Sequence, residues 1–364
     1  MKIIIKPLYI FFIYCVVLRS SILSENLTAE EFVKFSNKHN SILEENHKTN
    51  VTLAYTTPWN KNGYKFVQDY AHKISHVAPV WFELHLKGTN NFEITGKHNL
   101  DSEWIDQTRK LNKNIKITPR LLFDQWSGEN FQTLLNSKEL MIACSDVILE
   151  FYNENFFDGV VIEVWSQHSG TSQVNLMNFI KLFFEKSRDT PNFEVILVIP
   201  PPFYRDNIEG RFNSHHYSEL VEHVDYFNLM TYDYSNAYAP GPNAPLSWIS
   251  ECVKSLLIGK GLNKILIGLN FYGYDINARN RDFRHILGNE FVKTLQDHKS
   301  VLIWDKESSE HATVYKDSAD DDHIIWYPSP LSLAQRISLS LDLSCPGIAI
   351  WEAGQGLNIL FEQL

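Results

Sequence analysis

Cysteine is scarce: four in 364 residues, at Cys15, Cys144, Cys252 and Cys345, with no CxxC pair. A small disulfide-stapled scaffold is thereby excluded. Cys15 lies in the apolar N-terminus, and the other three are an odd number, which allows one bridge at most. Positive charge is also short, with 33 Lys+Arg against 43 Asp+Glu and a formal net charge of −10. A nucleic-acid binder held by phosphate contacts needs a basic surplus, so that class is set aside. No apolar run beyond the N-terminus is long enough to cross a bilayer. GxGxxG, the P-loop, HExxH and GxSxG are all missing, which argues against a dinucleotide enzyme, a zinc hydrolase and a serine esterase. No residue pattern asks for a cofactor or a metal. The acidic group Asp317, Asp320, Asp321 and Asp322 lacks EF-hand spacing and reads as a solvated turn.

What is present is apolar and aromatic. Hydrophobic residues make up 44% and aromatics 13%, enough for a large core with rings to spare for stacking. At the start, Lys2 and Lys6 flank the apolar run Pro7 to Leu18, and Ser20, Ser21 and Ser24 follow. That pattern is a secretory leader over 1–24, too short for a span of about 20 residues. It directs the chain out of the cytoplasm, for secretion or the lysosome. Residues 25–49 are polar, with weak helical spacing at Phe32, Val33 and Phe35, and form an N-terminal extension. Two glycosylation sequons begin at Asn26 and Asn50, and Asn26, in the more polar stretch, is the better candidate.

From residue 50 onward, eight short runs apolar on both faces recur: Val51–Tyr55, Val77–Leu84, Ile115–Leu122, Gly159–Trp165, Glu194–Ile199, Tyr226–Tyr232, Ile265–Tyr272 and Gly347–Trp351. Amphipathic helical stretches alternate with them, among them Trp104–Leu111, Leu140–Glu154, Val174–Lys186 and Leu331–Leu341. Strands buried on both sides and separated by helices make a parallel sheet, and eight units predict an α/β TIM (β/α)8 barrel over 50–364. The gap between the last two runs is roughly double the others, so an insertion at about 274–330 stands between strand seven and helix seven. Strands are expected in it near 301–304, 313–315 and 323–327.

In such a barrel the site lies at the C-terminal strand ends. These ends carry Tyr55 and Trp59 after strand one, Asp124 and Trp126 after strand three, and Glu163 and Trp165 at strand four. Met230, Tyr232 and Asp233 follow strand six, Asn270 and Tyr272 strand seven, and Trp351 strand eight. Aromatic faces beside carboxylates suit a carbohydrate. Several positions have plainer readings. Asp124 and Trp126 fit a surface turn, Asn270 a strand-end cap, and Tyr232 with Asp233 an architectural turn. His215-His216 reads as a surface pair.

These motifs carry a resemblance. Asp158-Gly159-Val160-Val161-Ile162-Glu163-Val164-Trp165, Met230-Thr231-Tyr232-Asp233, Phe271-Tyr272-Gly273 and Trp351 resemble the markers of glycoside hydrolase family 18, the chitinase family. Thr57-Pro58-Trp59-Asn60, Pro119–Phe123, the run from Met230 through Trp248, and Trp351-Glu352-x-Gly-Gln-Gly are more closely similar to its stabilin-interacting chitinase-like branch.

The resemblance implies an acetamido-sugar site, with Tyr232 and Asp233 holding the N-acetyl group and Trp351 as the floor. It also implies a scavenger-type sorting receptor as partner and a role in innate glycan sensing. It equally implies a loss. The general acid of active members aligns with Trp165, whose indole has no proton to give. Glu163, two residues earlier on the same face, would lie roughly 6.5 Å deeper at about 3.3 Å per residue. Trp165 is expected to stack on or plug the central subsite, which leaves Tyr55, Trp59 and Tyr272 as a rim platform.

Three functions follow. The first is a chitinase-like lectin that binds saccharides without cleaving them. The second is a weak glycosidase on N-acetylglucosamine oligomers with Glu163 as acid. The third is a plugged barrel that binds proteins through its insertion.

Overall fold

The computed structural model describes residues 22–38, 48–88, 91–170, 172–258 and 263–364. The expected leader falls almost wholly outside these. Among the described residues no helix is long and apolar enough to cross a membrane.

Eight parallel strands close into a ring, and each expected run supplies one. Strand one is Val51–Thr56. Strand two is His76–Pro79, resumed as Phe82–Lys87 after a break. Strand three is Lys116–Ile117, resumed as Arg120–Phe123. Strands four to eight are Gly159–Glu163, Glu194–Ile199, Tyr226–Leu229, Ile265–Asn270 and Gly347–Trp351. Strand eight pairs with both strand seven and strand one, which closes the barrel. The break in strand two lets its second half pair in parallel with strand three on one edge and antiparallel with Asn91–Thr95 on the other. That hairpin stands up beside the mouth.

Side chains fill the interior as the alternation of a barrel strand requires. Leu53, Tyr55, Ala78, Val161, Ile196, Val198, Leu266 and Ala349 point inward and touch one another. The opposite faces meet the helices in a larger apolar layer. Gly347 marks a tight crossing of strands eight and one, where a Cβ would lie 1.8 Å from the Val51 carbonyl oxygen.

The insertion is larger than its three expected strands. It is a five-stranded antiparallel sheet in the order Phe283–Ile286, Gly273–Asn277, Asp322–Trp326, Glu310–Lys316, Val301–Asp305, with an added helix, Gly288–His298. The acidic group does form its turn: the Asp317 amide donates to the Asp321 carbonyl, and Asp321 pairs with Arg279. In the N-terminal extension, Ala29–Ser36 is a helix closed by a Thr28–Glu31 capping box. Its Phe32 packs edge-on against Phe291 of the insertion helix at 5.3 Å. Asn26 is exposed ahead of it. Cys144, Cys252 and Cys345 are all buried free thiols, so no bridge joins them. Burial pushes each thiol upward, Cys345 to about 11, which makes them inert apolar fillers.

Candidate functional site

Strand four ends two residues sooner than its apolar pattern suggests. Val164 leaves the extended region (φ −132°, ψ −32°), and Trp165 opens a short helix to His168. The inward column is therefore Val161 and then Glu163, with Glu163 its last member. Trp165 turns outward instead. It is fully buried in the layer between sheet and helices, its ring 5.0 Å from Phe212 and 5.0 Å from His216, and its Nε1–H donates to the Arg211 carbonyl at 2.9 Å.

Two expectations change with this. Trp165 neither stacks in nor plugs the mouth, and Glu163 does not lie beneath an indole. His216 changes as well: it is a buried partner of Trp165, while His215 alone stays exposed. Burial holds the His216 imidazole below its ordinary pKa.

Glu163 is half-buried and engaged. Arg120 and Val161 are register partners, so Arg120 too faces inward, and its Nη1 reaches Glu163 Oε2 at 2.6 Å. Glu83 is in register with Leu122, itself in register with Glu163, which puts Glu83 on the same inner wall. Above it, Glu83, His85 and Asp124 bring one ligand atom each within 4.8 Å of one another, with His85 Nε2 already 3.1 Å from Glu83 Oε2. Asp124 thus belongs to the wall of the hairpin. Trp126, a rim candidate read rather as a surface-turn residue, is buried instead, donating its Nε1–H to the Leu84 carbonyl at 2.8 Å and stacking on Phe92.

Opposite stands the aromatic wall. Trp351 is half-buried at the end of strand eight, and the Tyr55 ring supports it at 5.2 Å. Tyr55 is not a rim residue: it is 2% exposed, and its hydroxyl accepts from Asn228 Nδ2 at 2.8 Å. Met230 packs half-buried on the same interior cluster. Tyr232 is half-buried with its phenol held far above the ordinary value, first by burial, then by neighbouring Tyr55 and by the charges of Asp233 and Glu163. These side chains therefore lie close to one another at the strand ends, with Asp233 itself exposed. Asp233 has left-handed backbone (φ 62°), fixed by its amide donating to Asn243 Oδ1 at 2.8 Å. Its carboxylate accepts from the hydroxyls of Tyr272 and Tyr274.

Tyr272 is thus buried as a support for Asp233 and is no stacking platform. Asn270 is a cap: its Nδ2 donates to the Tyr272 carbonyl at 2.7 Å. Trp59 stays open at 71% exposure.

Sequence reasoning missed Arg120, Tyr274 and Glu352. Arg120 sits inside an apolar strand, where only the register shows its partner. Tyr274 looked like the start of a peripheral insertion. Glu352 is 1% exposed and holds groups from the far end of the chain.

The assembled mouth has an open indole (Trp59), a half-buried one (Trp351), the phenol of Tyr232 beside the carboxylate of Asp233, and an ion-paired carboxylate at strand four. Such an arrangement can stack a sugar ring and accept its hydroxyl and amide protons.

Known proteins share this fold and parts of this sequence. The chain is 22% identical over 347 residues to Chitinase 1 of Aphanocladium album, covering 82% of this chain and 80% of that one. It is 25% identical over 154 residues to a cortical fragment-lytic enzyme of Bacillus subtilis, covering 40% of this chain but only 35% of that relative. Its fold superposes on the crystal structure of a chitinase from Chromobacterium violaceum with a TM-score of 0.73 at 18% identity, covering 86% of this chain and 97% of that one. The family model described as glycosyl hydrolases family 18 matches residues 51–356, which take in the whole barrel, its insertion and every mouth residue above, and the chain therefore belongs to that family.

Proposed function

We propose that this protein binds N-acetylated, chitin-type saccharides without hydrolysing them. One observation carries the reading: the family's acid position holds Trp165, and that residue points out of the mouth. The walls that would hold a sugar are present, with Trp351 for the ring face and Tyr232 and Asp233 for the acetamide. The chitinase named among the relatives supports the choice of polymer. Export through the secretory or lysosomal route, glycosylation at Asn26, recognition by a scavenger-type sorting receptor and a part in innate glycan sensing complete the proposal. The leader-like N-terminus, the exposed sequon and the resemblance to stabilin-interacting proteins support them.

A second reading draws on the same geometry. With Trp165 gone from the inner wall, Glu163 is the uppermost inward group of strand four and acts on the Tyr232 phenol. It would serve as acid in slow hydrolysis. Its Oε2 is already held by Arg120 at 2.6 Å, so Oε1 is the oxygen that would have to reach the glycosidic oxygen.

Calorimetry with chitotetraose and release of fluorophore from a chitobioside separate the two readings. The binding reading expects a measurable Kd, a loss of tenfold to a hundredfold in Trp351→Ala from ~1.5–3 kcal/mol of apolar contact, and no release. Release by the wild type that Glu163→Gln abolishes, with the melting curve unchanged, would establish the second.

A further inference from the structure

We propose that Glu352 is the positioning residue of this cleft: its buried carboxylate ties the loop after strand one, which carries Trp59, to the turn after strand eight, which follows Trp351, and so sets the spacing of the two indoles. The inference rests on the saccharide-binding reading for its purpose, not for its geometry.

The tie is direct at both ends. Asn60, next to Trp59, donates its Nδ2–H to Glu352 Oε1 at 2.9 Å. The Gly354 amide donates to Glu352 Oε2 at 2.9 Å, and the Glu352 amide itself donates to Gln355 Oε1 at 3.3 Å. Each carboxylate oxygen therefore has one donor, Oε1 from the loop after strand one, 292 positions away in sequence, and Oε2 from the turn after strand eight. The fit leaves no slack. A Cβ on Gly354 would come within 2.6–2.8 Å of the Asn60 side chain, and one on Gly63 would lie 3.0 Å from the Gly354 amide and 3.3 Å from Glu352 Oε2. Only backbone this bare lets helix Asn62–Asp69 and the turn Ala353–Gln355 close on the carboxyl.

The tie is also sensitive to protonation. Burial pushes the Glu352 carboxyl up from 4.5 to about 7, against the pull of its two hydrogen bonds. The titratable group facing it is Tyr64 on helix Asn62–Asp69, whose phenol is raised mainly by its own burial and slightly by Glu352. Asn60 and Gly354 are neutral donors. The ionised form can accept from both. The protonated form turns a hydroxyl toward one of them, so one of the two hydrogen bonds is lost. Acid therefore loosens the link between the indoles. Global stability runs the other way. A carboxyl whose folded pKa lies above its unfolded value contributes stability that is fully present below about 4.5 and lost as pH rises through about 7. Ionising Glu352 thus tightens the cleft while straining the fold.

Glu352→Gln keeps the shape but, like the protonated acid, offers one acceptor. Three readouts test the inference on the full chain between pH 8 and pH 5.5. Chitotetraose affinity should weaken roughly tenfold on acidification in the wild type, the worth of one hydrogen bond, and should already be weak and flat with pH in Glu352→Gln. Corrected hydrogen exchange at residues 57–63 should accelerate in parallel. The wild-type melting temperature should rise on acidification, and that rise should be smaller in Glu352→Gln. Equal exchange protection and equal affinity in the two proteins at both pH values would overturn the proposal. Exchange that follows the expected pattern in a wild type that binds no saccharide would leave the tie standing and sink the saccharide reading instead.

Discussion

Replacing Trp165 with alanine is expected to destabilise the fold by about 3–5 kcal/mol, the range for deleting a large aromatic from a core, and to leave saccharide affinity where it was in the protein that still folds. The indole is fully buried on Phe212 and His216, and its Nε1–H satisfies the Arg211 carbonyl. Truncation leaves a void and removes the shorter of the two hydrogen bonds to that carbonyl, which keeps Gln173 Nε2 at 3.2 Å. Trp165→Phe keeps most of the packing and drops only the hydrogen bond, so it should cost about 1 kcal/mol and supply stable material for the binding assay. Denaturant unfolding measures the first effect and calorimetry with chitotetraose the second. A loss of affinity in Trp165→Phe beyond twofold would place the ring in the mouth after all. Restoring the family's acid as Trp165→Glu should also fail to create a hydrolase. At position 165 the chain faces the apolar helix layer, so the new carboxyl would be buried without a partner and the barrel would lose stability instead.

That outcome shows which features the residues announced and which they concealed. All eight barrel strands were legible, because runs such as Ile265–Asn270 are buried on both faces and read as unbroken apolar segments. The end of strand four was not. Val164-Trp165 continues the apolar pattern, and only backbone dihedrals reveal that the strand stops at Glu163. Facing, depth and the fate of the indole all followed from that one boundary. The supports of Asp233 were hidden for another reason. Tyr272 and Tyr274 lie about 40 residues away and reach it only because strand seven runs straight into the insertion sheet. Tyr55 and Tyr272, read as rim platforms, are buried supports instead. Exposure belongs to packing, and an aromatic at a strand end carries no mark of whether a ligand or a neighbour covers it. Helix Gly288–His298 escaped notice because its apolar residues Phe291, Val292 and Leu295 are few, and they pair with Phe32 from an extension that looked solvated.

Besides the Tyr274 hydroxyl on Asp233, the insertion holds the site through a buried ion pair, and breaking one side of it should be among the most damaging single changes in the chain. Glu310, at the start of an insertion strand, is 6% exposed; Arg336, on helix Pro330–Asp342, is 4% exposed. Arg336 Nη2 meets Glu310 Oε1 at 3.0 Å, while the carboxylate also accepts from the amides of Asn243 at 3.0 Å and Ala244 at 2.9 Å. Burial raises the glutamate's pKa and lowers the arginine's, so each needs the other to stay charged. Asn243 then passes the constraint on: its Oδ1 fixes the amide of Asp233 in the left-handed region.

Glu310→Ala strands the guanidinium and frees two buried amides, and it is expected to cost about 3–5 kcal/mol and to weaken saccharide binding as Asp233 loses its anchor. Arg336→Met alone should cost a similar amount. The double variant should cost clearly less than the two single changes added together, because no uncompensated charge remains. Denaturant unfolding of the four proteins gives that coupling. Additive losses would mean that the two groups act independently, and intact affinity in Glu310→Ala would mean that Asp233 keeps its place without the Glu310–Asn243 link.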